Sequence, residues 1–353
     1  MNKKIQIALI VAGVFLILAG INTLLFGAPQ RKAELEQFTV SLGSEASDST
    51  ELAALLKNKG FIKSEQGFKI AFFQSLTGFL GTTCVDCFSP GAYQISKSMT
   101  AWQIAAAIKK GPDMEWVVIP EGLRKEQIAD IIGDALRWDE TTKKKWVTDY
   151  TAMKYEEVEG VYFPDTYLIP WNEEPLKVAD RLRTKFNMML EPYYQESLKQ
   201  NIKWDTLLKI ASIVQREAAG KDDMPVIAGV LWNRLLSNPP MKLEIDATVQ
   251  YARDNIIHYD NTNNNKLTLD YSSEGGWWTP IKAEDIKIES PYNTYLNKGL
   301  PPHPICNPGI EAISAVLNPA KTACLYYLHD ADRQIHCAKT YEEHQANIEQ
   351  YLR

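Results

Sequence analysis

One carboxylate, Glu217, interrupts the apolar pattern of IASIVQREAAG, residues 210–220. It follows Ile213 by four residues and Ile210 by seven, so helical geometry places the acid on the flank of an apolar stripe. A carboxylic acid among apolar side chains resists ionisation, which raises its pKa and suits it to general acid catalysis of glycosidic bond cleavage. The alternative is a boundary glutamate that reaches solvent or an arginine elsewhere, and helix position by itself favours this structural role.

The helix around this acid is predicted to begin near Asp205 or Thr206, either of which can cap a helix N terminus, and to stop at Gly220. At about 100° per residue, its apolar positions form one stripe. They are Leu207, Ile210, Ala211, Val214 and Ala218. Its polar positions form the opposite, solvent-facing side: Asp205, Lys209, Ser212 and Arg216.

A second domain, predicted over residues 151–353, surrounds this helix with further helices and a few strands. The predicted helices cover residues 175–199, 205–219, 225–237 and 309–317, with a terminal helix from about residue 340. The predicted strands are CLYYLHD, residues 324–330, and residues 334–338. Helices around a small sheet predict the α+β class.

Residues 38–150 are predicted to form an N-terminal lobe and a connector. A short strand, a polar turn and an amphipathic helix follow one another three times, within residues 38–60, 91–111 and 115–136. The three stretches match in pattern rather than residue by residue, so they indicate a weak internal repeat.

The N terminus carries an uncharged stretch, IQIALIVAGVFLILAGINTLLFG, over residues 5–27. A helix of this length can cross a hydrocarbon layer of about 30 Å. It is longer than the apolar part of a cleaved signal peptide, so residues 1–28 are predicted to be a cytoplasmic tip and a single uncleaved transmembrane anchor. Basic residues flank it on both sides and barely decide its orientation; we expect the long C-terminal part to be translocated.

The net charge and the cysteines limit which partners and which disulfide or metal sites are compatible with the sequence. The net charge is −6, with no basic block, which argues against nucleic acid as a partner. Five cysteines leave at least one thiol unpaired within the monomer. Cys84 and Cys87 could form a disulfide, could bind zinc with His303 and Cys306, or could be unpaired or structural. Cys324 is predicted to be a buried strand residue.

A series of short motifs around Glu217 carries a family resemblance. ASIVQREA, VLWNRL, LEIDATVQYA, SPYNTYLNKGLPP and NPG occur in this order, with EGVYFPDTY upstream and LNPAKTACLYYL downstream. Together they resemble the YceG-like family of membrane-anchored endolytic murein transglycosylases, and the resemblance covers roughly residues 38–353.

The resemblance implies an inner-membrane anchor, a LysM-like α/β module and an α+β catalytic domain on the cell-wall side. It implies cleavage between N-acetylmuramic acid and N-acetylglucosamine in nascent glycan strands, which leaves a 1,6-anhydro-muramyl end and terminates strand elongation. It places the catalytic acid at Glu217, and Gln215 stands where relatives often carry a preceding acid. The expected partners are peptidoglycan strands, membrane lipid and peptidoglycan synthases.

This chemistry needs few residues. A glycoside hydrolase usually requires a second carboxylate, whereas a lytic transglycosylase uses the C6 hydroxyl of its substrate as the nucleophile. Glu217 can then serve first as the acid and afterwards as the base. No second acid is required beside it, and neither a cofactor nor a metal is expected.

Further site residues are predicted from the shared motifs, each with a structural alternative. Tyr292, Asn293 and Tyr295 could contact sugar rings or could pack their own turn, and Asp246 and Thr248 could hold substrate or tie a loop. The remaining candidates are Glu159, Asp165 and Gln215, whereas Asn233 and Arg234 are at least as compatible with a structural role.

Two other functions compete with this interpretation. The chain could be a non-catalytic, membrane-anchored scaffold that binds glycan through its N-terminal repeats. It could also be a zinc-dependent wall hydrolase, although it lacks an HExxH pair. The motifs also depart from the family pattern at Ala247, where proline is usual, and at His303, where glycine is usual, so those loops are expected to differ in shape from the loops of relatives.

Overall fold

The computed structural model describes residues 3–41, 48–74, 88–153, 156–157, 159–260, 266–267 and 276–352. Helices predominate and the strands are short, so the predicted α+β class is confirmed. The chain divides into two compact units, an N-terminal unit (Met1–Val117 with Tyr167–Asn172) and a C-terminal unit (Val118–Thr166 with Glu173–Arg353). This division differs from the predicted boundary at residue 150, because residues 118–150 pack with the C-terminal unit.

The N-terminal unit combines helices with a four-stranded sheet. Its helices are α1 (Lys3–Phe26), α2 (Ser49–Asn58), α3 (Glu65–Gln74) and α4 (Ala101–Lys110). The strands lie side by side in the order β1 (Leu35–Val40), β2 (Gly91–Ser96), β3 (Met114–Val118) and β4 (Thr166–Pro170). The first two strands run antiparallel, with Phe38 opposite Tyr93 in the middle of the ladder.

The predicted order of strand and helix is confirmed for the first two repeats, which correspond to β1 with α2 and β2 with α4, and residues 42–47 of the first predicted turn lie outside the described residues. Asp48 caps α2 and Thr100 forms a capping box with Gln103 at the start of α4, so the polar turns begin these helices as predicted. The additional helix α3 was not predicted. The core of this unit is apolar and includes Phe38, Leu52, Leu56, Phe68, Phe72, Ile95, Ile104 and Ile108.

Helix α1 matches the predicted N-terminal apolar helix. Its segment Ile5–Phe26 has a mean hydropathy of 2.5 and is exposed along its length, so it is long and apolar enough to cross a membrane. A single helix of this kind fits a single-pass anchor by its length and composition.

Most elements of the C-terminal unit are helices. They are α5 (Lys125–Leu136), α6 (Glu140–Lys145), α7 (Pro175–Lys199), α8 (Trp204–Glu217), α9 (Met224–Leu236), α10 (Asp246–His258), α11 (Ile310–Leu317) and α12 (Tyr341–Tyr351). A π-helical turn (Trp146–Tyr150) follows α6, and a 3-10 turn (Asp285–Lys287) precedes α11. The strands β5 (Tyr326–His329) and β6 (Ile335–Ala338) form an antiparallel hairpin. Two-residue ladders join Ala152–Met153 to Glu156–Glu157 and Tyr259–Asp260 to Lys266–Leu267.

The predicted helices of this unit are confirmed for α7, α8, α9, α11 and α12, each within two residues at either end. The hairpin strands β5 and β6 are also confirmed, although β5 is shorter than the predicted run of residues 324–330. Helix α10 was not predicted. The third predicted repeat is divided, because β3 lies in the N-terminal unit and α5 in the C-terminal unit.

Helix α8 is the centre of the C-terminal core. It packs against α9 and α11 through fully buried residues that include Ile210, Ile213, Val214, Ile227, Leu231, Ile313 and Val316. Burying each such side chain stabilises the fold by roughly 1.5–3 kcal/mol. The helix that carries Glu217 is therefore a firmly held element.

Two predictions about α8 are wrong in detail. The helix begins at Trp204, so neither Asp205 nor Thr206 caps it, and it ends at Glu217 rather than near Gly220. Ser212, predicted to face solvent, is fully buried because its hydroxyl oxygen accepts the N–H of Ile305 at 3.0 Å.

Arg216 was also predicted to face solvent, but it is partly covered. Its guanidinium group stacks on the ring of Trp278, 4.2 Å from the ring centroid. The predicted solvent-facing side of α8 is therefore covered at Ser212 and Arg216, whereas Asp205 is exposed as predicted.

Candidate functional site

Glu217 occupies the last turn of α8, where the chain leaves the helix. The N–H of Ala218 still donates to the carbonyl of Val214, but Ala218 itself is extended, with φ −70° and ψ 136°. The side chain of Glu217 therefore projects from a helix end whose partial negative charge favours a neutral rather than an ionised acid.

Two hydrogen bonds fix the carboxyl group of Glu217. The hydroxyl of Tyr327 on β5 donates to Oε2 at 2.8 Å. The backbone N–H of Ala247, in the first turn of α10, donates to Oε1 at 3.4 Å. Three elements that are distant in sequence therefore determine where this acid points.

The surroundings raise the pKa of Glu217 above its ordinary value. Burial is the largest cause, and the negative charge of Asp246 acts in the same direction. The hydrogen bonds from Tyr327 and Ala247 oppose this shift because they stabilise the carboxylate. The direction agrees with the prediction, but the environment combines burial with polar partners and is not made of apolar side chains alone.

Tyr327 is suited to its position as a donor. Burial and the nearby Glu217 raise its pKa well above the ordinary value for tyrosine. Its hydroxyl therefore keeps its proton throughout the pH range in which a folded protein is studied, and it remains a hydrogen-bond donor to the carboxyl group.

A cavity of about 280 Å³ opens beside Glu217. Its wall combines acidic, basic, aromatic and apolar side chains from α8, α9, α10, β5 and α12. The polar and aromatic members are Glu217, Arg234, Glu244, Asp246, Tyr295, Tyr326, Tyr327, Tyr341 and His344. A concave site with a few converging polar groups and an acid of perturbed pKa has the general character of an active site.

Asp246 and Tyr295, both predicted as substrate-binding residues, line this cavity together. The tyrosine hydroxyl donates to Oδ1 of Asp246 at 2.7 Å, which orients the carboxylate at the start of α10. Glu244 adds a third acid to the wall. From the sequence no second acid was required beside Glu217; the structure places two further carboxylates, the predicted Asp246 and the unpredicted Glu244, in the same cavity.

A second pair, Asp223 and His329, holds the segment that follows Glu217. His329 Nε2 lies 2.6 Å from Oδ2 of Asp223. The same carboxylate accepts the backbone N–H groups of Ala219 and Gly220 at 2.8 and 3.1 Å. Because His329 and Tyr327 belong to the same strand, these contacts fix that strand relative to the C-terminal end of α8.

Arg234 closes the cavity from α9 and is almost fully buried. Its guanidinium donates to the backbone carbonyls of Leu243 and Leu325, and it lies 5.0 Å from the centroid of the Tyr326 ring. The neighbouring Asn233 donates its side-chain amide to the carbonyls of Thr322 and Cys324 at 2.9 Å. The structural role considered for both residues agrees with these contacts.

Thr248 and Asn293 were predicted to contact substrate, but the structure buries both completely. The hydroxyl of Thr248 donates to the carbonyl of Ile245 at 2.7 Å and lies 2.9 Å from Oγ1 of Thr294. The amide of Asn293 donates to the carbonyls of Ile286 and Ile288. These contacts support the structural alternative, in which Thr248 and Asn293 stabilise the loop that carries Tyr295.

Tyr292 and Gln215 also have structural contacts in place of the predicted contacts with substrate. Tyr292 packs its ring against Tyr251, with centroids 4.7 Å apart. The side-chain oxygen of Gln215 accepts the N–H of Gly309 at 3.0 Å, at the N-terminal end of α11. Gln215 thus joins two helices at the position where relatives often carry an acid.

Glu159 is buried in a separate cluster of charges. Its carboxylate accepts the backbone N–H of Lys125 at 3.1 Å and the side-chain amide of Asn307 at 2.7 Å. Burial and the charge of Glu126 raise its pKa. Arg124 completes the cluster through an ion pair with Glu126 at 3.1 Å. The predicted substrate contact is thus replaced by a role in fixing the start of α5, and Asp165, the other acid of that segment, pairs with Lys185 at 2.8 Å.

The cysteines are arranged differently from the prediction. Cys324 is buried as predicted, but it precedes β5 and forms a disulfide with Cys337 that was not predicted. Cys306 is a buried free thiol that donates to the carbonyl of Ser212 at 3.2 Å. Within the described residues, no group of three acidic, cysteine or histidine side chains is arranged to hold a metal ion. Cys84 and Cys87 lie outside the described residues.

The sequence analysis missed Tyr327, His329 and Asp223. The strand pattern YYLHD contained part of the signal, because alternation places Tyr327 and His329 on the same face. It did not indicate that this face meets the end of α8. The aromatic side chains of Tyr341 and His344 were missed for the same reason, since a terminal helix alone does not reveal which cavity it borders.

Comparison with known proteins places this site in a family. A sequence profile of the YceG-like family matches residues 39–350. The endolytic murein transglycosylase of Bacillus subtilis is 30% identical over 348 residues, which cover 92% of this chain and 87% of that protein. The protein of the same name from Streptococcus pneumoniae D39 is 27% identical over 342 residues, which cover 87% of this chain and 57% of that longer protein.

A solved structure shares the fold. The 2.6 Å crystal structure of a yceG-like protein from Listeria monocytogenes is 25% identical and superposes with a TM-score of 0.55. The alignment covers 89% of this chain and 99% of that one. The resemblance noted from the motifs is therefore matched along nearly the whole chain.

Proposed function

Because the chain belongs to the YceG-like family, we propose that it is an endolytic peptidoglycan lytic transglycosylase. It cleaves the β-1,4 bond between N-acetylmuramic acid and N-acetylglucosamine within nascent glycan strands and leaves a 1,6-anhydro-muramyl end. The relatives named as endolytic murein transglycosylases support this assignment. The observation that carries it is the position of Glu217, an acid with a raised pKa at the wall of an open cavity.

In the first half of the reaction, the protonated Glu217 donates its proton to the bridging oxygen. The bond from C1 of the muramyl residue to that oxygen breaks, and the N-acetylglucosamine side leaves with a new hydroxyl. Positive charge develops at C1 and the ring oxygen. The raised pKa keeps this acid protonated at higher pH than an ordinary glutamic acid.

In the second half, the C6 hydroxyl of the same muramyl residue attacks C1. The new bond between O6 and C1 closes the 1,6-anhydro ring, and the hydroxyl proton passes to the carboxylate of Glu217. The acid is thereby regenerated, and water is neither consumed nor released. No cofactor or metal takes part in these steps.

Asp246 has a supporting part in this mechanism. Its carboxylate borders the same cavity and is oriented by Tyr295, so it stabilises the positive charge that develops on the muramyl ring. A hydrolase would instead use such a carboxylate to activate water or to attack C1. The two mechanisms leave different product ends, which makes them separable by experiment.

The aromatic side chains of the cavity supply contacts for sugar rings. Tyr326 and Tyr341 have ring centroids 5.9 Å apart, and Tyr326 stacks on His344 at 5.4 Å. About half of the Tyr341 side chain is exposed. Flat, partly exposed rings combine apolar contact with polar edges, which suits them to the faces of an amphipathic glycan.

Helix α1 anchors the chain in the cytoplasmic membrane in a single pass, with the catalytic unit on the cell-wall side. The disulfide between Cys324 and Cys337 supports this orientation, because disulfides persist in oxidising compartments outside the cytoplasm. From this position the enzyme acts on strands as peptidoglycan synthases extend them, and each cut terminates a strand. The LysM-like character of residues 38–150 belongs to the same proposal.

The decisive experiment digests purified glycan strands with the detergent-solubilised chain and identifies the product ends by mass spectrometry. Anhydro ends and reducing ends differ by one water, so one spectrum distinguishes transglycosylation from hydrolysis. We expect anhydro ends from the wild type and essentially none from Glu217→Gln. Glu311→Gln, an exposed acid on α11, is the matched control and should retain activity.

The non-catalytic scaffold predicts another result. Binding of the wild type and Glu217→Gln to glycan without release of anhydro products by either would support the scaffold and exclude the enzyme. Reducing ends that require Asp246 would indicate a hydrolase built on the same cavity.

A further inference from the structure

The hydrogen bond from Tyr327 to Glu217 depends on where the β5–β6 hairpin lies. Tyr327 is directly opposite Cys337 in the antiparallel register of this hairpin. Cys337 is in turn bonded to Cys324, which precedes β5. The disulfide therefore joins β6, the strand that pairs with β5, to the segment that immediately precedes β5.

That leading segment is itself fixed to α9. Asn233 holds the carbonyls of Thr322 and Cys324, each at 2.9 Å, and the guanidinium of Arg234 holds the carbonyl of Leu325. Cys324 is therefore a firm attachment point, and through the disulfide it also positions β6.

The opposite end of β5 has its own anchor. His329 meets Asp223, whose carboxylate also binds the backbone just beyond Glu217. Along the chain, Tyr327 lies between His329 and the cross-linked Cys324. A strand held at both ends presents its central side chain in one place, which the hydroxyl of Tyr327 requires if it is to meet Oε2 of Glu217 at 2.8 Å.

We propose that the Cys324–Cys337 disulfide is a positioning element of the catalytic site, which keeps the hydroxyl of Tyr327 directed at Glu217. The inference rests on the proposed function, because it gives the cross-link a part in preparing the acid for proton transfer. It extends the set of residues that determine the reaction to two cysteines that do not themselves contact Glu217.

The cross-link is accessible to chemistry. Cys337 is exposed, so a dithiol such as dithiothreitol can reach it. Two electrons and two protons from the reductant convert the disulfide into two thiols, and the reductant leaves as its own cyclic disulfide. Reduction then frees β6 from Cys324, so the partner strand of Tyr327 loses its cross-link, while the contacts of β5 with Asn233, Arg234 and Asp223 remain.

Loss of the hydrogen bond from Tyr327 should shift the pH profile of the cleavage rate in one predictable direction. The hydrogen bond stabilises the carboxylate of Glu217, so its loss raises the pKa of that acid further. The protonated acid is the active form, and the basic limb of the profile consequently moves to higher pH. The other charged or titratable groups near Glu217 are not substituted in the test: Arg216, Asp223, Arg234, Glu244, Asp246, Tyr295, His329 and His344.

The test compares the oxidised full-length chain with Cys324→Ser/Cys337→Ser, each with Tyr327 and with Tyr327→Phe, in detergent micelles. The readouts are the rate of anhydro-end formation across pH and the melting temperature. We expect the serine variant to lose about 10- to 100-fold in kcat, as small misplacements of catalytic groups do, and to shift its basic limb upward. In the Tyr327→Phe background the serine substitutions should change neither the limb nor kcat further.

Reduction of the wild type provides the second arm and does not require a variant to fold. Dithiothreitol should reproduce the serine phenotype, reoxidation should reverse it, and the reductant should leave the serine variant unchanged. A lower melting temperature with an unchanged basic limb, or an equal loss of rate with and without Tyr327, would show that the disulfide only stabilises the fold.

The two proposals fail in different ways. An oxidised wild type that makes no anhydro ends would overturn the proposed function and this inference with it. An active oxidised wild type whose pH profile does not respond to reduction would overturn the positioning role alone.

Discussion

His329 and Asp223 meet across 106 residues of sequence, with Nε2 of the histidine 2.6 Å from Oδ2 of the aspartate. The aspartate also accepts two backbone N–H groups from the segment just after Glu217. One side chain therefore connects the end of α8 to the strand that bears Tyr327. The geometry of the proposed acid depends on this connection as well as on its direct partners.

Replacing Asp223 with alanine should weaken both the fold and the reaction. The substitution leaves two backbone N–H groups and one histidine without their partner. Losing hydrogen bonds to a carboxylate costs about 1.5–3 kcal/mol each, and less where water can replace the partner, as at the exposed Gly220. We expect a clearly lower melting temperature and a lower kcat with little change in KM. Asp222→Ala is the matched control, because Asp222 is adjacent and exposed. Equal effects of the two substitutions would contradict the assigned role.

The pH dependence of cleavage should respond to Asp246. Its negative charge raises the pKa of Glu217, so Asp246→Asn should lower that pKa. Since the protonated acid is active, the basic limb of the kcat/KM profile should move to lower pH. The asparagine can still accept the hydroxyl of Tyr295, which keeps the loop in place. Asp205→Asn, at the other end of α8, should leave the limb where it is, and a shift upward for Asp246→Asn would refute the charge argument.

The titration of Glu159 should make the stability of the folded chain depend on pH, rather than its catalytic activity. Burial and the charge of Glu126 raise its pKa from 4.5 to about 8 in the folded chain. A raised pKa means that the folded state favours the protonated acid, so its contribution is complete below pH 4.5 and is lost as the pH rises towards 8. Glu159→Gln removes this titration. The melting temperature of the wild type should therefore fall more steeply between pH 5 and pH 8 than that of the variant; parallel curves would contradict the shift.

The aromatic wall of the cavity should affect binding more than chemistry. Tyr341→Ala removes a half-exposed ring at the cavity, and we expect KM for glycan strands to rise about 3- to 10-fold with kcat nearly unchanged. Tyr341→Phe keeps the ring and should behave like the wild type. Steady-state kinetics on strands of defined length provide the measurement. A loss confined to kcat, or an equal loss with phenylalanine, would mean that the ring does not bind sugar.

Local pattern was sufficient to predict most helices of the C-terminal unit. Helix α7 begins at Pro175 and ends at Lys199 as predicted, because proline suits a first helical turn and the apolar spacing behind it is regular. The position of Glu217 on the flank of the apolar stripe of α8 was predicted from the same helical periodicity. These features depend on residues within one or two turns of each other.

What could not be predicted depends on contacts between distant residues. Tyr327 reaches Glu217 across 110 residues, and the N–H of Ile305 reaches Ser212 across 93. Ser212 looks like a solvent-facing residue when only its helix is considered, and it is buried because the segment 305–309 covers it. Asn293 looks like a sugar ligand in its motif, yet its amide is used within its own turn.

Helix α8 has one further consequence, for the construction of chimaeras. Ser212 and Gln215 attach it to the segment 305–309, while Glu217 at its end meets the hairpin and α10. A chimaera that takes α8 from a relative without that relative's 305–309 segment would lose these contacts. The helix, and Glu217 with it, would then be displaced. Functional recombinants between homologues should therefore inherit these two segments from the same parent.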